Sequence, residues 1–400
     1  MPIQTNANVL VAIKRETTTG TAATAAGATR VRLIGSPGLE LKRTPIVSQE
    51  LRGDGNTSMG RLGGKLVDGS YESELTVGGH TDIVLEAVMR SVWVTAFEVG
   101  FATMTTVAIG TMTLTANAGD WVGTQGIRVG DVLTLSGTTV SGNNNTRNAV
   151  RSVNSLTITV ATGAYTTLAA TATGTITVAK KVKSATTPTR YSHTVEQYDE
   201  DTDLSELFLG CRVIGVTVSG KPGEMAKMTT RMMGMDRTAL ATGTSPWFTS
   251  PTETTGLGLI ADDSAITYNG AVVTNLTGFE LDFTISAAPQ SVLGTFVSPD
   301  IFDNVLDVKA TVMGLREDFS NLTLFDAETE FSVFLMLQEL ATAPKPFVHF
   351  YLPRVKIAAL SAPVGGGDGA KVVTRTLMVG PKVAATGHDG TIATISSSAT

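Results

Sequence analysis

Pro37-Gly38-Leu39-Glu40-Leu41 and Thr277-Gly278-Phe279-Glu280-Leu281 are one short phrase written twice, at an offset of 240. Each sets a glycine before an apolar, acidic, apolar alternation, the pattern of a strand leaving a turn. Five residues prove little, so the order of the segments downstream of each phrase decides. A long polar segment comes next, residues 43–64 around Gly53-Asp54-Gly55-Asn56 and residues 284–303 around Ser298-Pro299-Asp300. Alternating strands come after it in both, Gly69-Ser70-Tyr71-Glu72-Ser73-Glu74-Leu75-Thr76-Val77 and Leu306-Asp307-Val308-Lys309-Ala310-Thr311-Val312.

A helix signal then appears in each copy. Thr81 is the expected cap of a helix from His80 to Arg90, with Asp82 at its positive end and Ile83, Val84, Ala87 and Val88 as its apolar stripe. In the second copy, Ser320 or Asn321 precedes Leu322, Leu324 and Phe325, which predicts a shorter helix. Beyond the helices the offset changes. Tyr191-Ser192 matches Phe331-Ser332 at 140, Arg212-Val213 matches Arg354-Val355 at 142, and Arg231-Met232-Met233-Gly234 resembles Arg375-Thr376-Leu377-Met378 at 144. A drop from 240 to 140 places about one hundred extra residues inside the first copy, after its helix.

The extra segment alternates as a module of its own, through Met112-Thr113-Leu114-Thr115, Asp131-Val132-Leu133-Thr134-Leu135, Leu156-Thr157-Ile158-Thr159-Val160 and Gly174-Thr175-Ile176-Thr177-Val178. Gly130-Asp131 and Ser141-Gly142-Asn143-Asn144-Asn145 mark its turns. An insertion of this kind requires its two ends to lie close together. The expected organisation is an N-terminal arm (1–30), a first β-domain in two pieces (31–103 and 183–235) and an inserted β-domain (104–182). A connector (236–275), a second β-domain (276–380) and a polar, mobile tail (381–400) complete it.

Composition supports a β-rich chain. Of 400 residues 42% are hydrophobic, only 16% are charged and 41 are glycine. Typical soluble domains carry roughly a quarter charged residues, so much of this surface is neutral, as suits a subunit covered by neighbours. A net charge of −6 argues against a dedicated nucleic-acid binder, which needs a basic face to displace counterions. The single cysteine, Cys211, allows no disulfide framework and reads as a small buried thiol. The first residues show no basic-then-apolar leader, and no run reaches the 18 or so apolar residues of a membrane span.

No catalytic constellation emerges. His80, His193, His349 and His388 lack the close spacing of common metal ligands, and no nucleophile elbow or phosphate-binding loop is present. Asp199-Glu200-Asp201-Thr202-Asp203 lacks the glycine and distal glutamate of a calcium loop and reads as solvated. Lys180-Lys181-Val182-Lys183 reads as a strand end, Gly365-Gly366-Gly367-Asp368-Gly369 as a hairpin turn, and the run Met225, Met228, Met232, Met233 and Met235 as part core, part contact. No cofactor, metal or catalytic residue is expected. A carbohydrate-active protein would need paired carboxylates and clustered aromatics, whereas Trp93, Trp121 and Trp247 are scattered.

Glu16-Thr17-Thr18-Thr19-Gly20-Thr21-Ala22-Ala23, the strand pair around Gly38-Leu39-Glu40-Leu41 and Ser73-Glu74-Leu75-Thr76-Val77, and the helix from His80 to Met89 resemble the major tail tube proteins of long-tailed bacteriophages. The resemblance implies a mainly β fold: two tandem tail-tube-like β-sandwich or barrel domains, each with a short flanking helix, plus a small inserted β-barrel or sandwich. It also implies a virion structural subunit whose rings stack around a lumen through which DNA passes without being held. A chain with two copies is then expected to form a three-chain ring with pseudo-sixfold symmetry, meeting tape measure, terminator and tip proteins in the tail. The rival reading is another virion surface protein, such as a decoration, spike or adhesin module. Loops of the length of 42–64 and 282–303 usually have a job. Arg52, Asp54, Asn56, Arg61, Phe296, Asp300 and Phe302 are therefore the candidate contacts between subunits or rings, with the N-terminal arm as a second candidate and the insertion projecting outward.

Overall fold

The computed structural model describes residues 3–5, 8–35, 37–50, 53–161, 165–268, 270–339, 345–363, 370–384 and 387–399. The first half of the chain gives β1 (Val9–Arg15), β2 (Thr29–Val31), β3 (Gly38–Ile46), β4 (Arg61–Glu74) and α1 (His80–Met89). Eight short strands come next: β5 (Phe97–Gly100), β6 (Val107–Ile109), β7 (Thr113–Ala116), β8 (Val132–Ser136), β9 (Arg147–Val153), β10 (Thr157–Val160), β11 (Leu168–Thr171) and β12 (Thr175–Val178). The chain returns through β13 (Lys180–Lys183), β14 (His193–Asp199), β15 (Leu204–Gly220), β16 (Lys227–Gly234) and β17 (Asp236–Leu240). The second half contains β18 (Ala265–Tyr268), β19 (Ala271–Val272), β20 (Leu276–Pro289), β21 (Ile301–Leu315) and α2 (Ser320–Asp326). It ends with β22 (Phe331–Gln338), β23 (Phe347–Ser361), β24 (Val372–Gly380) and β25 (Thr394–Ser397).

The duplication is visible pairing by pairing. In the first copy β1 pairs with β2 and β14, β14 with β15, β15 with β16 and β17, β16 with β4, and β4 with β3, all antiparallel. In the second, β18 pairs with β19 and β22, β22 with β23, β23 with β24 and β25, β24 with β21, and β21 with β20. Bulges recur at corresponding places, in the β3–β4 and β20–β21 ladders and in the β15–β16 and β23–β24 ladders. A bulge bends its strand and raises local twist, so both copies curve alike.

Three stretches hold more structure than the sequence predicts. The expected N-terminal arm contains β1 and β2, which extend the first copy's sheet. The expected connector contains β17, which completes the first copy, and β18 and β19, which open the second. The expected mobile tail contains β25, wholly buried between β23 and β13. Apart from the apolar β1, these strands are two to five residues long, and most carry Thr, Ser or Ala. Their polar groups are satisfied by the ladder, which hydropathy alternation does not register. The Gly365–Gly369 turn lies outside the described residues.

Each helix also differs from expectation in detail. Gly79, not Thr81, occupies the N-cap of α1, with φ +62° and no side-chain cap; Thr81 sits inside the helix, its hydroxyl 3.3 Å from that of Thr76. Seven residues of α1 are buried, whereas α2 buries none and leaves Phe319, Leu322 and Phe325 exposed.

One core cluster runs through both copies, from Val11 and Leu39 to Phe350 and Ile395. Strands β5 to β12 form a separate eight-stranded sheet around Trp121, with the order β11-β6-β7-β10-β9-β8-β12-β5. Its entry and exit meet where Val94 and Lys181 exchange backbone hydrogen bonds of 2.7 and 3.1 Å. The ends of the insertion are therefore adjacent, as a loop insertion requires. Its core continues directly into Phe334, Met336, Phe347 and Tyr351 of the second copy. Gly130 of the insertion must be glycine here, because it has φ +92° and a Cβ would lie 2.2 Å from the Tyr351 Cδ1.

Candidate assembly interface

The two copies meet along a strand seam. Gly215–Gly220 of β15 pairs antiparallel with Phe279–Thr284 of β20, so the sheet of one copy runs into that of the other. Asp282 polarises the centre of the seam. Its carboxylate accepts from the Thr217 hydroxyl (2.7 Å), the Arg231 guanidinium (2.7 Å) and the Thr284 hydroxyl (2.7 Å). Gly215 makes this possible, because a Cβ there would lie 2.5 Å from the Arg231 Nη2.

A second contact flanks the seam. The loop joining β20 to β21 folds back onto the first copy, where Arg212 donates to both oxygens of Asp300, at 2.8 and 2.9 Å from Nη2 and 3.1 Å from Nε. Asp303 is gripped by Arg190 (2.5 Å), Arg90 (3.5 Å) and Arg212 (3.6 Å). Arg90 ends α1 with φ +52°, a left-handed conformation that costs a non-glycine residue free energy. Its guanidinium offsets that cost by donating to the Asn304 carbonyl at 2.5 Å. Phe296 of the same loop lies under the Arg43 guanidinium, 5.1 Å away, and its carbonyl accepts the Lys65 N–H at 2.7 Å.

Each copy has the edges to make such a seam on both sides, yet the chain uses one. Among the described residues, no strand pairs with β3 on the side away from β4, or with Ile357–Ser361 of β23 on the side away from β24. These are the counterparts of the seam strands, β3 of β20 and β23 of β15. The Gln197 side chain covers part of the β3 edge, accepting the Leu39 N–H at 2.9 Å and donating to its carbonyl at 3.2 Å. Lys42 and Pro45 on the same strand are edge-protecting residues.

The seven predicted contact residues fall into distinct groups. Asp300 is at the charge contact and Phe296 beside it, both within the chain, while Phe302 is half-exposed on β21. Asp54 accepts the Asn56 N–H at 3.1 Å in the exposed loop between β3 and β4, and Arg61 begins β4 opposite Ile46. Arg52 lies outside the described residues. Sequence reasoning missed Asp303, Arg90, Arg190 and Arg212; the recurring arginine pair Arg212 and Arg354 was the available signal.

The other singled-out groups serve packing. Burial lowers the pKa of His80 and His193 to about 4 and that of His349 to about 3, keeping the rings neutral near pH 7. No three His, Cys, Asp or Glu among the described residues form a group that could hold a metal. No described helix is long and apolar enough to cross a membrane. The acidic run 199–203 turns β14 into β15, and its Asp201 receives the Thr5 N–H and hydroxyl and the Asn8 amide. The lysines of β13 are paired, Lys180 with Asp82 (2.7 Å), Lys181 with Asp131 (2.5 Å) and Lys183 with Asp389 (3.2 Å). Cys211 is buried, as are Met228, Met232 and Met235, while Met225 is exposed.

A family model described as phage tail tube protein matches residues 6–192 and, a second time, residues 168–399. No curated protein sequence matches the chain. The two family matches together span nearly all of the chain, and they agree with a β-rich fold built twice. The chain belongs to the phage tail tube protein family and is a structural subunit of the tail tube.

Proposed function

We propose that three chains close into a ring by repeating between chains the seam that each chain already contains. The observation that carries this reading is the match of the two copies, pairing for pairing, with one seam made and its two complementary edges left open. Transferring the β15–β20 register sets Ile357 of one chain opposite Thr44 of the next, and Ser361 opposite Glu40. Three such seams between chains and three within them give six β-units around one lumen. Closure removes every edge of this kind. The units are residues 9–90 with 180–240, and residues 265–397, with 97–178 as the inserted module.

Rings then stack by a head-to-tail contact that does not close on itself, and so grow a tube in the virion tail. The role is mechanical and involves no catalysis. A net charge of −6 supports a wall that repels phosphate, letting DNA slide through without specific contacts. Tape measure, terminator and tip proteins are the partners this role implies. Negative-stain electron microscopy of the concentrated protein, with native mass of the smallest assembly, tests the reading. Annular rings or hollow tubes with a three-chain unit are expected. A six-chain ring sinks the trimer, and solid fibres sink the tube.

A further inference from the structure

The charge contact at Arg212 has a counterpart with no loop of the described residues seated on it. Arg354 is the second copy's Arg212, and residues 330–332 correspond to residues 190–192. In the first copy these positions receive Asp300 from the loop joining β20 to β21 and Asp303 from the start of β21. In the second copy the same positions line an open cleft of about 650 Å³. Cations dominate its walls: Arg354, Arg151 and Lys382 face Glu330, with His388 and Tyr351 completing it. Arg354 is exposed, and among the described residues it pairs with Glu330 of its own copy, at 2.6 and 2.9 Å. The Tyr351 hydroxyl is buried and has no hydrogen-bond partner among the described residues.

We infer that this cleft is the socket for the loop joining β3 to β4 of a second copy of the chain, with Asp54 meeting Arg354. This rests on the ring reading above and adds a contact distinct from the strand seam. Two independent features select that occupant. One is internal symmetry: the loop joining β20 to β21 fills the equivalent place on the first copy, and the loop joining β3 to β4 is its counterpart. The other is charge, since Glu50 and Asp54 outnumber Arg52 on this loop and complement a cationic wall. The loop also presents Met59 and Val47, both strongly exposed, which a socket lined by Val129, Val383 and Phe331 can cover.

Charge reversal tests the pairing. Arg354→Glu and Asp54→Arg are made singly and together, and assembly is followed by mass photometry over a concentration series, with circular dichroism to confirm folding. Each single variant is expected to raise the midpoint concentration for ring formation by about tenfold, as like charges meet. The double variant restores it to within about threefold. Singles that assemble like the wild type, or a double that rescues nothing, overturn the socket while leaving the ring in place. A wild type that forms no ring at any concentration overturns the ring reading itself.

Discussion

Strands β14 and β22 occupy the same place in the two copies and pair in the same way, yet their sequences follow different rules. His193-Thr194-Val195-Glu196-Gln197-Tyr198-Asp199 alternates, while Phe331-Ser332-Val333-Phe334-Leu335-Met336-Leu337-Gln338 is almost continuously apolar. The face shared with the common core is alike, with Val195 and Phe208 matching Leu335 and Phe350. The opposite face has been rewritten. Thr194, Glu196, Ser205 and Leu207 in the first copy stand where the second has Phe334, Met336, Phe347 and His349. The reason is what covers them. A strap from residues 16–28 and 247–252 lies over the first copy; it offers N–H groups to Thr194 and Glu196, and its Glu16 accepts from the Thr194 hydroxyl and the Gly210 N–H. The insertion lies over the second and offers Leu133, Val150 and Trp121 as part of one apolar cluster. A strand buried on both faces loses its alternation. The ladder sets the fold, and the cover decides the second face.

The largest expected effect comes from removing one cover. Joining Val94 to Lys181 and deleting the insertion between them is sterically simple, because these two residues are already bonded. A freely projecting knob would be lost without consequence to the tube units. Here the deletion uncovers Phe334, Met336, Phe347 and Tyr351, each worth about 1.5–3 kcal/mol of burial. The sum rivals the whole stability of a domain, about 5–15 kcal/mol. Insoluble expression or a collapsed thermal midpoint is expected; a soluble chain with the parental midpoint would break the comparison.

The next contrast is between Arg212 and Arg354. Arg212→Ala leaves Asp300 without its buried partner and takes one of three cations from Asp303, and breaking such a pair costs about 3–5 kcal/mol. Arg354→Ala removes an exposed, solvent-screened pair with Glu330 and is expected to leave the unfolding midpoint of the isolated chain unchanged. Denaturant unfolding of the two variants separates them. Equal losses would mean that the loop joining β20 to β21 is not held by charge.

Much of this was legible in the sequence, and the rest was not for identifiable reasons. The duplication, the paired strands on either side of each long loop and the inserted module could be read because hydrophobic period and glycine turns are local signals. Strands β17, β18, β19 and β25 could not, since at two to five residues they are too short for periodicity, and β17, β18 and β25 also pair with strands well away in the chain. The run of apolar residues in β22 was visible, but the sequence could not say that the insertion of the first copy packs on the second. Among the contact residues, Asp300 was singled out on its loop as a contact between subunits or rings, whereas the bond it makes to Arg212 lies within the chain. Its partner Arg212 was seen only as a repeat marker, because charge pairing across 88 residues leaves no local trace.

Glu196 tests the polar cover as the insertion deletion tests the apolar one. Its two oxygens accept the Trp247 and Phe248 N–H groups at 2.6 and 2.8 Å, and the side chain is almost fully buried. Glu196→Ala strands both donors, a loss of about 2–4 kcal/mol. Glu196→Gln keeps one acceptor and should cost about half as much. Copying the second copy by making Glu196→Met is expected to be no better than alanine, since a thioether accepts neither the Trp247 nor the Phe248 N–H and both stay stranded. Thermal unfolding of the three variants ranks them; a stabilised methionine variant would show that the two covers are interchangeable.

The smallest effect concerns the histidine that only the second copy places on this face. His349 replaces Leu207, stacks on Phe334 with ring centres 6.1 Å apart, and has neither ring nitrogen hydrogen-bonded among the described residues. Burial holds its pKa at about 3 in the folded chain, below the ordinary 6.5. The unfolded chain therefore binds the proton more readily, so the stability is complete above pH 6.5 and declines as pH falls toward 3. One proton corresponds to about 1.4 kcal/mol per pH unit, or roughly 2 kcal/mol between pH 6.5 and 5. His80 and His193, lowered to about 4, add parallel slopes and His388, lowered by partial burial, a smaller one, while Asp82 and Asp131 have raised pKa values from burial and act oppositely at lower pH. His349→Leu restores the first copy's residue and should remove about a third of the slope between pH 7 and 5, in denaturant titrations at each pH. An unchanged slope would mean that His349 already meets water, and that the insertion seals the second copy less tightly than the strap seals the first.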